Sequence, residues 1–526
     1  MVAINDSPRL AETRSGQGME IRQNLREKKE LIFVLICAVF LYLHLFVFNA
    51  VPFFYEEDHL LFIQDAWRMY CGESLYKDFF QLTFPGTQLL YLGLLYIFGT
   101  KFWLINAVIF LQGFTQTLIC LAISKRVIGG GWNAFLPPSL FLFFGFRWFG
   151  IDGSHRMLSP IFVWLAILIL LKGRTYQRVA LSGLLCALAS YFTQQRGMLA
   201  AGAIAFFLLF ETIKNKSDWK KLAVQELLLG GSFVLLLFVL ILPFLIAAGP
   251  NTFFEYTFLS IKDYVQDPEA NYGAYIILFE KVWGQGVVVS AAMCFYYALT
   301  PMVYLAGFVY LWKKKNRAEI WLIALVGCFL ALGTFAPTPM RFFQISVPAI
   351  IIFCWLIFQI RFRSELFARS AVTLLVIFGG VLAVRLQTNW DRLYLYTPTG
   401  KIAFLSPVTL ERYKWLSEHA EPNEYVFEAY QTAVNFPLQL PNPTQVMFLL
   451  DRGITTEWQV QLAIKNLEQK KPRFIVWDAK WSKENSERNP GDKLAPLYDY
   501  LRQNYEIKQN FTPYSDREMQ AWQRKI

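Results

Sequence analysis

The chain predicts a polytopic α-helical membrane protein with a small C-terminal α/β domain outside the membrane, and three observations lead there. Apolar residues make up 55% of the 526 residues and charged ones only 17%, against roughly a quarter charged in a soluble domain. Apolar runs begin at Leu31 and recur as far as Leu386, many of them long enough for a hydrocarbon core about 30 Å thick. After Leu386 the pattern changes: from Gln387 to Ile526, 18 Lys plus Arg face 17 Asp plus Glu.

Taken in order, residues 1–30 form a charged arm with no small-residue cleavage site, so the first apolar segment reads as a retained anchor. The candidate spans are Leu31–Phe53, Phe102–Ser124, Asn133–Phe149, Met157–Leu171, Val179–Thr193, Gly197–Ile213, Leu222–Ala248, Val287–Trp312, Ile320–Phe335, Phe342–Ile360 and Ser370–Leu386. Gly86–Gly99 is also apolar, and charge parity decides its role. With eleven crossings and a cytoplasmic N-terminus, the arm and the loops at Lys125, Lys172, Lys214, Trp312 and Arg361 hold 22 basic residues, against about nine on the other side. A twelfth crossing at Gly86–Gly99 would invert every later loop against the positive-inside tendency, so a surface-lying or re-entrant helix is expected there. Residues 1–386, with 32 basic against 22 acidic side chains, thus carry all but one unit of the net charge of +11 through loop topology, with no call for a nucleic-acid partner.

Residues 387–526 show an apolar run "EYVFEAY", a helical pattern from Glu457 to Gln469, the strand-like "RFIVWD", a helix from Lys493 to Asn504 and "YEIKQNF", the order of a small α/β unit. On the predicted topology it shares the extracytoplasmic side with the first loop, 54–101. It has no glycine-rich phosphate loop. Six of the seven cysteines lie in apolar segments and Cys71 stands alone in a loop, so no disulfide framework or cysteine-based metal site is encoded.

Four polar spots fall on that outer face. "FFYEEDHLLFIQDAWRMY" sets Glu56, Glu57 and Asp58 ahead of a predicted interfacial helix, with Leu60, Ile63, Trp67 and Tyr70 on one side and Gln64, Asp65 and Arg68 on the other. Its acids could equally serve as helix caps. "FRWFGIDGSHRMLSP" offers Asp152, His155 and Arg156; alone, Asp152 is a turn residue beside glycine and His155 a packing histidine. "YFTQQRGMLA" puts Gln195 and Arg196 between two short spans, in a recess, where an ionisable side chain faces a cavity or a partner such as Asp152. "APTPMRFFQISVP" opens a span with Arg341, suited to bidentate phosphate contact and also to interfacial anchoring. The aromatic loop "FFEYTFLSIKDYVQDPEANYGAY" could cover a site or lie on the membrane.

The acidic pair after the first span, followed by "GESLYKDFFQLTFPGTQLLYLGLLYIFG", resembles the GT-C superfamily of membrane glycosyltransferases, best over Leu31 to about Gly197. Within it, the nearest likeness is to bacterial dolichyl-phosphate-mannose-protein mannosyltransferase-like enzymes, the family that includes the lipid A aminoarabinose transferase. The resemblance implies a sugar carried on a polyprenyl phosphate and moved at the outer face of a bacterial plasma membrane to a glycan, lipid or protein acceptor. It places the first-loop carboxylate on Glu57 or Asp58 and the second acidic position on Asp152; where the family reads Asp-Glu this chain reads Glu57-Asp58. Arg156, Arg196 and Arg341 are then expected at the donor phosphate, and Gln195, His155 and Lys77 at the substrate. A divalent metal bridging acid and phosphate is compatible with this set but not required by it. A transporter or flippase of lipid-linked sugars would share the polytopic build, but its charges would sit nearer the midplane. A non-catalytic scaffold with an envelope-binding C-terminal domain is the third reading.

Overall fold

The computed structural model describes residues 27–260, 287–313, 317–334, 337–359, 365–388, 393–429, 433–447, 449–450, 455–481, 492–512 and 518–525. The arm up to residue 26 and residues 261–275 of the aromatic loop lie outside them. Each expected span contains helix in its described part. Four helices, Trp103–Val127, Gln194–Asn215, Trp219–Ala248 and Glu365–Thr388, are long and apolar enough to cross a membrane, and Val287–Lys313 joins them if its bent halves count as one. The 30-residue Trp219–Ala248 helix is the most apolar of the four and the least buried in the protein. With Leu227, Leu235 and Ile246 exposed, it presents the surface a lipid-facing helix needs.

Contacts sort the helix ends into two sets. Lys125 pairs with Glu30 at 2.5 Å, Arg317 donates to the Val127 carbonyl, and Lys29 and Arg369 both sit over the Trp132 ring. Arg174 pairs with Glu211, and Phe210 packs on Trp321, so the basic loops gather at one end of the bundle. The first loop, the Thr193 turn and the described part of 393–525 occupy the other. Gly86–Phe98 begins against the Tyr191 backbone and is followed by Thr100 and Phe102, hydrogen-bonded to Gln439 and Thr399. Both its flanks therefore lie at that second end, and 13 residues reach only about 20 Å.

Three sequence expectations are corrected. The first helix stops at residue 45 instead of running to Phe53: Ala50 takes φ 65 in a tight return, and Phe53 donates back to the Leu45 carbonyl. The expected span from Phe342 is two helices, Pro339–Gln344 and Val347–Gln359, broken just ahead of Pro348, whose missing N–H and ring disfavour a continuous helix. The His59–Tyr70 helix does not lay an apolar side in lipid. Leu60, Ile63 and Trp67 are buried along with Gln64, Asp65 and Arg68, because the C-terminal region covers it: Trp67 packs on Phe436, and Arg68 donates to the Thr444 carbonyl.

The C-terminal region opens with the hairpin Leu393–Thr397/Gly400–Phe404 and the helix Pro407–His419, neither of which the sequence pattern had signalled. A four-stranded sheet follows. Val426–Glu428 pairs in parallel with the buried Phe474–Asp478, which pairs antiparallel with Met519–Arg524, itself paired with Tyr505–Asn510. Helices Glu457–Lys470 and Ala495–Asn504 pack against it. The apolar core runs without a break from the bundle through Phe54 and Phe102 into Phe404, Tyr413 and Phe474, so this region is built onto the bundle.

Candidate active site

A cavity of about 210 Å³ opens where the Thr193 turn, the start of the His155–Leu170 helix and the first loop meet. Asp58, His155, Arg156, Gln195, Arg196 and Arg341 all line it, with Gln81, Thr83, Gln194 and Thr334. Its apolar lining comprises Leu61, Phe62, Phe80, Leu199, Leu330 and Met447. Charged and apolar groups lining one cavity suit an amphiphile with an anionic head.

Local structure explains how these groups arrive together. Ser154 caps the His155–Leu170 helix by accepting from the Arg156 amide, which starts the helix so that His155 and Arg156 face the cavity. Gly197 brings the Gln194–Asn215 helix against its neighbour: a Cβ there would lie 2.0 Å from the Cys186 carbonyl oxygen, so only glycine allows this approach. Arg196, 7% exposed, donates to the Arg156 carbonyl and to Gln344 Oε1 at 2.9 Å. Asp152, the alternative structural partner the sequence offered, does not bond it. Arg341 and Arg156 nonetheless act on Arg196 and on the His155 ring, which places three positive charges around one space.

The three acids that follow the first helix have separate environments. Glu56 turns away and accepts from Arg412 at 3.0 Å. Asp58 stands at the helix start without a side-chain capping bond; it pairs with Arg156 and lines the cavity. Glu57 is half-buried, is not among the lining residues, and its carboxyl is pushed up to about 8, by burial first and then by the charges of Asp152 and Asp58. Asp152 is fully buried behind the wall, accepting from the Ser154 amide and hydroxyl at 2.9 and 2.7 Å. Burial, then the Asp58 charge, raises it to about 6.

Lys77 does not join the site. It is exposed beside Tyr76, whose φ is 66 and whose buried hydroxyl donates to the Thr83 carbonyl, and that turn leaves Lys77 outside the cavity lining. Sequence reasoning missed the groups that hold the cavity wall. Asp65 accepts from Gln81 and Gln88 at 2.7 and 3.2 Å, Gln81 Oε1 accepts from the Leu82 amide, and Gln194 donates to the Leu82 carbonyl. A polar residue inside an apolar run was the one available signal, and Asp65 and Gln88 both gave it. Among the described residues, no three His, Cys, Asp or Glu side chains are arranged to hold a metal ion. Asp58 and Asp152 have Arg156 and Ser154 as partners instead.

No family model and no curated protein matches the chain. Solved structures do. ArnT from Cupriavidus metallidurans, solved bound to undecaprenyl phosphate, aligns at TM-score 0.58 over 94% of this chain and 98% of its own, with 10% identity. The Archaeoglobus fulgidus oligosaccharyltransferase, solved with zinc and sulfate, aligns at TM-score 0.52 over 93% of this chain and 72% of its own, with 14% identity. The chain therefore shares its overall fold with these two solved structures.

Proposed function

We propose that this protein is a membrane glycosyltransferase that moves a sugar from a polyprenyl-phosphate donor to an acceptor hydroxyl at the extracytoplasmic face. The observation that carries the proposal is the Asp58–Arg156 pair at a cavity whose polar side also holds Arg196, Arg341, His155 and Gln195. The fold shared with ArnT, whose structure holds undecaprenyl phosphate, supports the donor class.

In the proposed reaction the acceptor oxygen attacks the anomeric carbon as its proton passes to the Asp58 carboxylate, acting as general base. The new C–O bond forms on the face opposite the leaving phosphate, whose oxygen departs with the bonding electrons. One base with no carboxylate nucleophile gives inversion. Arg156, Arg196 and Arg341 stabilise the charge that grows on the phosphate, in a site where low dielectric strengthens each contact. Arg156 serves both halves of the step, since it holds Asp58 and faces the cavity. Glu57, protonated at neutral pH, is poorly suited to accept the proton, so of the two residues the sequence left open Asp58 is the base. Leu199, Leu330 and Met447 are the apolar surface available to the first isoprene units.

The test is to incubate purified protein in lipid nanodiscs with a radiolabelled polyprenyl-phosphate sugar and a mixture of envelope glycans and lipids. Label moving to acceptor, or slow release of free sugar, is expected from the wild type. Asp58→Asn should lose about 10²- to 10⁴-fold in rate while retaining its melting temperature. Full activity of Asp58→Asn would overturn the assignment.

A further inference from the structure

The loop that carries Glu57 and Asp58 is bound into the C-terminal region by main-chain pairing. The Phe54 amide donates to the Ala403 carbonyl at 2.8 Å and the Ala403 amide to the Pro52 carbonyl at 2.9 Å, and Phe53 pairs in parallel with Ala403. Residues 52–54 therefore lie as a third strand on the Leu393–Phe404 hairpin, in the way an extended segment adds to an exposed sheet edge. The Phe54 ring stacks on Phe404 at 5.0 Å and meets Tyr413 edge-on at 5.0 Å.

Directly after this strand, Glu56 accepts from Arg412 Nη2 at 3.0 Å, and Arg412 Nη1 lies 3.6 Å from Glu428 Oε1. Arg412 is 5% exposed and Glu428 is 1% exposed. Glu428 also accepts from the Val434 amide, and Tyr413 donates to the Ala433 carbonyl, so the whole group is anchored in the C-terminal sheet region. A guanidinium buried between two carboxylates from chain segments hundreds of residues apart is costly to break, because removing it strands two charges in low dielectric. Glu56 is two residues from Asp58.

We infer that Arg412 is a positioning residue for the reacting carboxylate: through Glu56 and the added strand 52–54, the C-terminal region sets where Asp58 stands. The inference rests on the transferase reading for its consequence in catalysis, but its structural half stands apart from that reading. Arg412 is not among the residues that line the cavity. It fixes the start of the His59–Tyr70 helix from outside, while Arg156 fixes the Asp58 carboxylate from inside. The C-terminal region is then a required part of the catalyst, and whatever acceptor it meets is presented to a site that it helps to hold.

The experiment compares full-length wild type with Arg412→Met, Arg412→Lys and Glu56→Gln in nanodiscs, by amide hydrogen exchange and by steady-state transfer. In Arg412→Met and in Glu56→Gln, exchange is expected to rise at least tenfold over residues 52–58 with no change in the Trp103–Val127 and Gln194–Asn215 helices. Transfer should lose tenfold or more in kcat with the donor KM within threefold, and Arg412→Lys should recover part of that loss. A residue that only stabilises the fold would raise exchange throughout and would not separate kcat from KM. Should Arg412→Met fail to fold, Glu56→Gln alone decides. Unchanged exchange at 52–58, or raised exchange with wild-type kcat, overturns the inference. A wild type that moves no sugar sinks the transferase reading instead, and the exchange data still judge the structural half.

Discussion

At the residue scale, the crowding of Glu56, Glu57 and Asp58 at the bundle surface is resolved by giving each acid a different fate. Arg412 neutralises Glu56, Arg156 neutralises Asp58, and Glu57 keeps its proton to about pH 8. The last has a measurable consequence. A carboxyl raised above its unfolded value near 4.5 contributes stability that is fully present below that value and is lost as pH rises through about 8. Asp152 behaves alike, losing its share as pH passes about 6. The melting temperature in nanodiscs should therefore fall between pH 5 and 8.5, and Glu57→Gln, which has no proton to lose, should flatten the part above pH 6. Parallel curves for the variant and the wild type would contradict the protonated state given to Glu57. The cationic side of the cavity makes a separate prediction: Arg196→Gln should lower the transfer rate about 10²- to 10³-fold, the usual cost of removing one donor from a developing negative charge. Because Arg196 also donates to Gln344 and the Arg156 carbonyl, its melting temperature should drop too. An assay of both quantities on this variant checks the two roles together.

At the element scale, the site exists because helices approach closely around Thr193. Gly197 lets the Gln194–Asn215 helix press against the Cys186 carbonyl and Ser190, and Gly86 seats the Gly86–Phe98 helix against Tyr191. Gly197→Ala should cost about 1–3 kcal/mol through overpacking and move Arg196 away from Gln344, so thermal stability and transfer rate should fall together. Wild-type melting in that variant would mean that the two helices have room the structure does not give them. The His59–Tyr70 helix teaches the limit of pattern reading at this scale. Its two-faced sequence matches an interfacial helix in lipid equally well as one sandwiched between bundle and C-terminal region, because both settings reward one apolar side. What differs is the partner of the polar side, and Arg68 meeting Thr444 is a contact across 376 positions that no local pattern encodes.

At the scale of the whole molecule, the basic loops collect at one end and the cavity lies at the other, the arrangement that charge parity requires of a protein with its N-terminus in the cytoplasm. Reporter fusions after Lys125 and after Lys214 should read cytoplasmic, and a glycosylation or cysteine-labelling tag inserted after Lys77 should read extracytoplasmic. The reverse assignment at Lys125 would invert the entire topology and put the cavity on the wrong side for an exported donor. The sequence alone determined where the apolar helices fall and which polar residues were exceptional for their depth, because hydrophobic run length and loop charge are local quantities set by the bilayer. It also brought forward Asp58, Arg156, Arg196 and Arg341, since a charge beside a membrane is costly enough to stand out wherever it occurs. Only the tertiary structure decided which of Glu57 and Asp58 faces the cavity, that Asp152 stands behind the wall, that Lys77 is outside it, and that Arg412 grips the loop from the C-terminal region. Those outcomes depend on which distant surfaces meet, and the energy of such meetings lies in desolvation and paired charge across hundreds of residues, which a linear pattern does not record.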